Sequence, residues 1–182
     1  MIAETARLRI RPWRRDEADR LFDLLRRPEV VRWLGVDPRV MTDRWEAVER
    51  IAAWAAYAEA HPGFGRWAAE PVETGVPAGT VLLGPMPNGD GEVEIGWHFH
   101  PDSWGRGLAS EAASAVLAKA FADGIDEVYA VTHPDNEASH RMCERIGMTS
   151  LGETTKWYGV PGIVFRIRRH EWDRRRAPED SN

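Results

Sequence analysis

The spacing of apolar residues changes along this chain, and each change marks an element. Residues 8–13, Leu-Arg-Ile-Arg-Pro-Trp, alternate apolar and polar and predict a strand. From Asp16 the period lengthens. Ala18, Leu21, Phe22, Leu24 and Leu25 form one helical stripe, with Asp16, Glu17 and Asp19 in the first turn, where the helix dipole favours acids. A short helix is expected over 29–34, stopping at Gly35. Thr42 or Asp43 can cap a longer one to about Ala60, ended by His61-Pro62-Gly63.

The middle of the chain returns to short periods. Residues 64–70, 79–83 and 92–99 predict three strands, separated by turns such as Pro87-Asn88-Gly89-Asp90-Gly91, and suggest an antiparallel meander. Helix resumes over 107–123, with Leu108, Ala112, Ala115, Val116, Ala120 and Phe121 apolar and Gly124 placed to end it. A buried-type strand over 127–132 follows, then a helix capped by Asn136 and stopped by Gly147. Two strands, about 148–157 and 163–171, complete the pattern. The order predicts an α/β domain over 1–172: a mixed, mostly antiparallel twisted sheet of about six or seven strands, flanked by helices. A charged, flexible tail is expected over 173–182.

Composition narrows the function classes. A length of 182 residues suits one domain, and the net charge of −5 argues against nucleic acid as a partner. The single cysteine, Cys143, excludes an internal disulfide framework and a Cys-rich zinc site. His61, His133, His140 and His170 show no paired ligand spacing, so no metal is expected. Without a long apolar run or a basic-then-apolar leader, the expectation is a cytoplasmic protein that engages no membrane. Arg166, Arg168, Arg169 and Arg174-Arg175-Arg176 read as a solvated face rather than a docking site.

The chemistry concentrates in Trp104-Gly105-Arg106-Gly107-Leu108-Ala109-Ser110-Glu111, which joins a strand to a helix. Glycines allow positive φ and close approach of a ligand, and free N–H groups at the helix start favour a phosphate or pyrophosphate. Arg106 can add an ionic contact. A plain glycine-rich turn is the alternative. A dinucleotide fingerprint is nearly matched by Gly105, Gly107 and Ser110, but the next strand ends in Thr132-His133 where an acidic residue is needed. No Walker loop is present.

This turn and its surroundings resemble the GNAT superfamily of acetyl-CoA-dependent N-acetyltransferases, in particular its RimJ/RimL-like branch. The resemblance runs from Thr5-Ala6-Arg7-Leu8-Arg9-Ile10-Arg11-Pro12-Trp13 through Glu94-Ile95-Gly96-Trp97-His98-Phe99 and the glycine turn to Asn136-Glu137-Ala138-Ser139 and Arg145-Ile146-Gly147. It implies acetyl-CoA as cosubstrate, with Trp104, Gly105, Arg106, Gly107, Leu108, Ala109 and Ser110 around the pyrophosphate. Trp104 stands where the family motif has Arg or Gln. It also implies that Trp97, His98 and Phe99 pair with the pantetheine arm, and that Asn136 and Ser139 reach the same region.

The implied reaction is direct acetyl transfer to an amine in a ternary complex, for which a base must remove a proton. Glu94 is the best-placed base, with Glu92, His98 or a water chain as alternatives. For proton donation the branch often has a tyrosine seven residues after the motif asparagine, a position held here by Cys143; Ser139 is the other candidate. The acceptor, a small-molecule or peptide/protein amine, is expected between the first helices and the last two strands, lined by Arg32, Trp33, Tyr57, Trp157 and Tyr158. A homodimer fits the branch. A catalytically silent acyl-CoA-binding module is the competing class.

Overall fold

The computed structural model describes residues 1–176 and contains one eight-stranded sheet. In chain order the strands are β1 (Ala3–Glu4), β2 (Leu8–Pro12), β3 (Gly65–Pro71), β4 (Gly79–Pro85), β5 (Val93–Phe99), β6 (Glu127–Thr132), β7 (Thr149–Thr154) and β8 (Gly162–Arg168). The helices are α1 (Ala18–Leu25), α2 (Pro28–Val31), α3 (Arg44–Ala60), α4 (Leu108–Ala122), α5 (Glu137–Arg145) and α6 (Arg169–Arg176). The sheet order is β1-β2-β3-β4-β5-β6-β8-β7, and every neighbouring pair is antiparallel except β5–β6. The mixed sheet and flanking helices follow the apolar pattern closely.

Four boundaries differ from expectation. The sheet has one strand more than the upper expectation, because the two-residue β1 is too short to carry a periodic signal. The short helix begins at Pro28, which suits a first helical position because its missing N–H has no intrahelical partner there, and ends at Val31. β7 stops at Thr154, so Trp157 and Tyr158 lie in a turn. β8 stops at Arg168 and the chain continues as α6, which covers the first residues expected in the tail; 177–182 lie outside the described residues.

Two apolar cores cover the two faces of the sheet. On one face α4 packs Leu108, Ala112, Val116, Leu117 and Ala120 against Leu8, Ile10, Val81, Leu83, Val93 and Ile95. On the other, α1 and α3 bury Leu21, Leu24, Leu25, Val48 and Ile51 with Val30, Val31 and Ala68. Strand alternation assigns these faces: Val93, Ile95, Trp97 and Phe99 belong with the α4 core, whereas Glu94, Gly96 and His98 point the other way. Asp43 caps α3 through the Trp45 N–H, and Glu46 returns a bond to the Asp43 N–H, a reciprocal box that fixes where this covering helix starts. Among the described residues no helix is long and apolar enough to cross a membrane.

Candidate active site

The parallel pair β5–β6 is joined only at Val93 with Val128 and Glu94 with Tyr129. Beyond Glu94 the two strands no longer pair, whereas β4–β5 stays paired through Phe99 and β6–β8 through Thr132. A gap therefore opens inside the sheet, with unpaired backbone N–H and C=O groups along both walls. Buried backbone groups need partners, so this gap offers an edge on which an extended polar chain can pair. It widens into a cleft of about 1150 Å³ lined by Glu94–Phe99, Ala130–His133, the glycine turn and the first turns of α5.

At the mouth, Gly105 and Gly107 adopt φ of 72° and 74°, the left-handed region that strains other residues. No heavy atom would stand within 4 Å of a Cβ built on Gly105, so the turn leaves room beside its backbone. Gly107 then starts the fifteen-residue α4, whose first N–H groups are free to face an anion. The turn is braced from outside. Arg7 Nε donates to Glu111 Oε2 at 2.7 Å and its Nη1 to the Arg106 carbonyl at 3.0 Å, while Thr5 Oγ1 donates to Glu111 Oε1 at 2.5 Å. Trp104 spends its indole N–H on the Phe99 carbonyl at 2.8 Å and leaves its ring half exposed. These features fit an anionic, extended ligand running from the turn into the gap.

Inside the gap, the Tyr158 hydroxyl donates to Glu94 Oε2 at 2.5 Å. Burial pushes the Glu94 carboxyl up to about 7, against the opposing effects of the Tyr158 bond, the Val131 backbone and the nearby Arg66 charge. His98 lies on the same face, its Nε2 buried without a protein partner. Burial, with the Arg50 and Arg66 charges, pushes this imidazole down to about 3, so it is neutral at pH 7. Glu92 takes a structural role: Lys156 and the Asp90 N–H hold it ionised, well below the usual carboxylate range, outside the cleft lining.

Among the expected ligand-binding residues, Trp97, His98, Phe99, Trp104, Gly105, Gly107, Leu108, Ala109, Ser110, Asn136 and Ser139 line the cleft. Asn136 also caps α5 by accepting from the Ser139 N–H at 3.3 Å. The Arg106 side chain turns away toward Glu73, 3.4 Å distant. Arg32, Trp33 and Tyr158, expected around an acceptor, also line the cleft. Tyr57 does not; it stacks on His61 with ring centroids 4.2 Å apart. Trp157 is buried with Met86 and Val164 in a small separate cluster. Cys143 is also kept out of the cleft. Its position on α5 turns it into the main core, fully buried, and burial pushes the thiol up to about 12.

Arg50, Trp54 and Arg66 line the cleft and were not anticipated. The i, i+4 spacing of Arg50 and Trp54 on one helix and the lone arginine in the small-residue strand Gly-Arg-Trp-Ala-Ala were the available signals.

Known proteins share the fold and much of the sequence. The chain is 32% identical over 165 residues to an uncharacterized Bacillus subtilis N-acetyltransferase, YoaA, covering 90% of this chain and 92% of the relative. A Bacillus anthracis acetyltransferase of the GNAT family superimposes with a TM-score of 0.75 at 21% identity, covering 92% and 98% of the two chains. RimL, a ribosomal L7/L12 alpha-N-protein acetyltransferase solved with coenzyme A, gives a TM-score of 0.76 at 16% identity over 92% and 97%. The family model described as the acetyltransferase (GNAT) domain matches residues 7–149, from the Arg7 brace past the Asn136 cap. With the splayed pair β5–β6 and the glycine turn at its mouth, the chain belongs to the GNAT acetyltransferase family.

Proposed function

We propose that this protein transfers acetyl from acetyl-CoA directly to a primary amine, the two substrates meeting in a ternary complex at Glu94. The observation that carries the proposal is a carboxyl group enclosed beside an unpaired strand edge and poised near neutrality. The Gly105–Ser110 turn and the start of α4 would hold the pyrophosphate, and the open edges of β5 and β6 would pair with the pantetheine amides. Acetyl-CoA supplies an activated thioester carbonyl to this gap. Backbone N–H groups of Trp97–Phe99 that point away from β4 are donors for negative charge developing on that oxygen. Glu94 takes the proton of the incoming ammonium, with the Tyr158 hydroxyl fixing the orientation of its carboxylate. The amine nitrogen then bonds the carbonyl carbon, the C–S bond breaks, and the nitrogen's second proton passes to the leaving CoA thiolate.

The RimJ/RimL-like motifs favour a protein N-terminal amine or a small-molecule amine as acceptor. The same reading makes the protein cytoplasmic and admits a homodimer. Glu94→Gln tests the proposal. Turnover should fall by about 10²–10⁴-fold, while calorimetric affinity for acetyl-CoA stays within a factor of about three. Unchanged turnover removes Glu94 from the reaction, and undetectable turnover in the wild type with retained binding favours a silent acyl-CoA-binding module.

A further inference from the structure

The cleft holds positive charge that no carboxylate of the described residues meets in a salt bridge. Arg50 on α3 and Arg66 on β3 both line it. Among the described residues neither has a carboxylate within 4.0 Å, whereas Arg7, Arg11, Arg20 and Arg168 all do. Arg66 pairs across the sheet with Leu82, and Leu82 with Gly96, which puts Arg66 on the same face as Glu94 and His98. Its guanidinium stands 5.9 Å from the Tyr57 ring centroid, an aromatic neighbour and not a counter-charge.

Glu94 does not neutralise either arginine by contact, since its hydrogen-bond partner is Tyr158. Nor does the expected pyrophosphate position serve them: the glycine turn follows the end of β5, whereas Arg66 lies opposite the middle of that strand. The His98 Nε2, buried and unpartnered on the same face, is a further polar group without a protein partner. Two guanidinium groups and an imidazole nitrogen thus line the cleft without a carboxylate in ion-pair contact, although Glu94 stands on the same face.

We infer that the acceptor is a small amine carrying a carboxylate a few bonds from its nitrogen, with Arg50 and Arg66 binding the carboxylate while Glu94 faces the nitrogen. The inference rests on the acetyltransferase reading above and names the substrate class for it. A planar guanidinium fork matches a carboxylate in shape and charge. The geometry also sets the size. Arg66 and Glu94 are two strands and two residues apart, so their Cα atoms are about 12 Å apart from strand spacing and rise. Both side chains rise from the same face of the sheet, so one small molecule a few bonds long can meet both.

The test uses the full chain with saturating acetyl-CoA. Thiol release is followed for the twenty L-amino acids and their C-terminal amides, with rates corrected for the lower amine pKa of the amides. At least one acid should be acetylated with a kcat/KM at least about tenfold above its amide, as expected for charged hydrogen bonds. Arg50→Gln and Arg66→Gln should erase that ratio chiefly through KM, and Arg66→Lys should restore part of it. Acetyl-CoA affinity and melting temperature, measured on each variant, show that the variants are folded. Equal or better use of the amides overturns the inference, as does a ratio untouched by the substitutions. Acetyl-CoA binding with no turnover of any carboxylate-bearing amine also overturns it while leaving the acetyltransferase reading in place. Failure to bind acetyl-CoA overturns both.

Discussion

Glu94 sits where a carboxylate is hardest to keep charged, and its pH behaviour follows from that position. With its carboxyl pushed up to about 7 by burial, the base form accumulates only as pH rises through neutrality. The kcat/KM profile should therefore climb with pH and level off above about 7, and Glu94→Gln should abolish that limb. Stability moves in the opposite sense. Between about 4.3, where an unfolded glutamate loses its proton, and about 7, the folded state holds the proton and the unfolded state does not. Folding is therefore progressively less favoured as pH rises through this window. Glu94→Gln, which carries no charge, should be more stable than wild type at pH 8 by on the order of 1–3 kcal/mol and equal to it near pH 4. Thermal melts at both pH values read the difference; a variant no more stable at pH 8 shows that the carboxyl is not desolvated. At this scale the sequence was partly legible. Alternation placed Glu94 and His98 together on one face of β5, but on α5 the motif spacing chose Cys143, whose helical position turns it into the core.

The same limit recurs among elements, because periodicity reports one buried face and this sheet has two. In β2 the alternation of Leu8 and Ile10 with Arg9 and Arg11 reads as inside and outside. Leu8 and Ile10 do pack under α4, but Arg11 faces the second core and is itself buried. Its guanidinium donates to Glu17 at 2.6 and 2.9 Å, in the turn before α1, and to Glu70 on β3 at 3.0 Å. The bonds and charges of both acids hold Arg11 ionised above its ordinary value despite burial. Glu17, which sequence placed as a first-turn acid favoured by the helix dipole, thus joins β2 to the turn before α1 through Arg11. Arg11→Met would leave two carboxylates without their shared partner and should cost about 3–5 kcal/mol. Denaturant unfolding of the variant measures it, and a loss below 1 kcal/mol would mean that Arg14 can replace Arg11 between the two acids. The ends of β7 and β8 escaped sequence reading for a different reason. The expected strands ran on to Trp157 and Glu171, yet Trp157 fills a local cluster, and Trp172, just past the second, packs from α6 onto Phe121.

For the whole molecule, the decisive feature is one that no local pattern displays: two neighbouring strands that pair at one end and part at the other. Each strand was legible, and so was the glycine turn, but their divergence is a matter of pairing between β5 and β6, which lie far apart in the chain. The unpaired backbone of the gap should make the free protein less stable than the same fold with an extended ligand completing the sheet. Binding then raises stability by mass action, about 2.7 kcal/mol at a ligand concentration one hundred times Kd. For a chain of this size that corresponds to a rise in melting temperature of about 5–10 °C. Acetyl-CoA and CoA should both produce the shift, since the turn and strand edges engage parts common to the two. NAD(H), whose pyrophosphate would meet the turn but which has no pantetheine amides for the β5 and β6 edges, should not. Gly107→Ala, forced to hold a side chain at φ 74°, should weaken the shift and leave the chain folded. Equal stabilisation by NAD(H) would mean that the turn alone binds the ligand, and that the parted strands are a feature of packing and not of recognition.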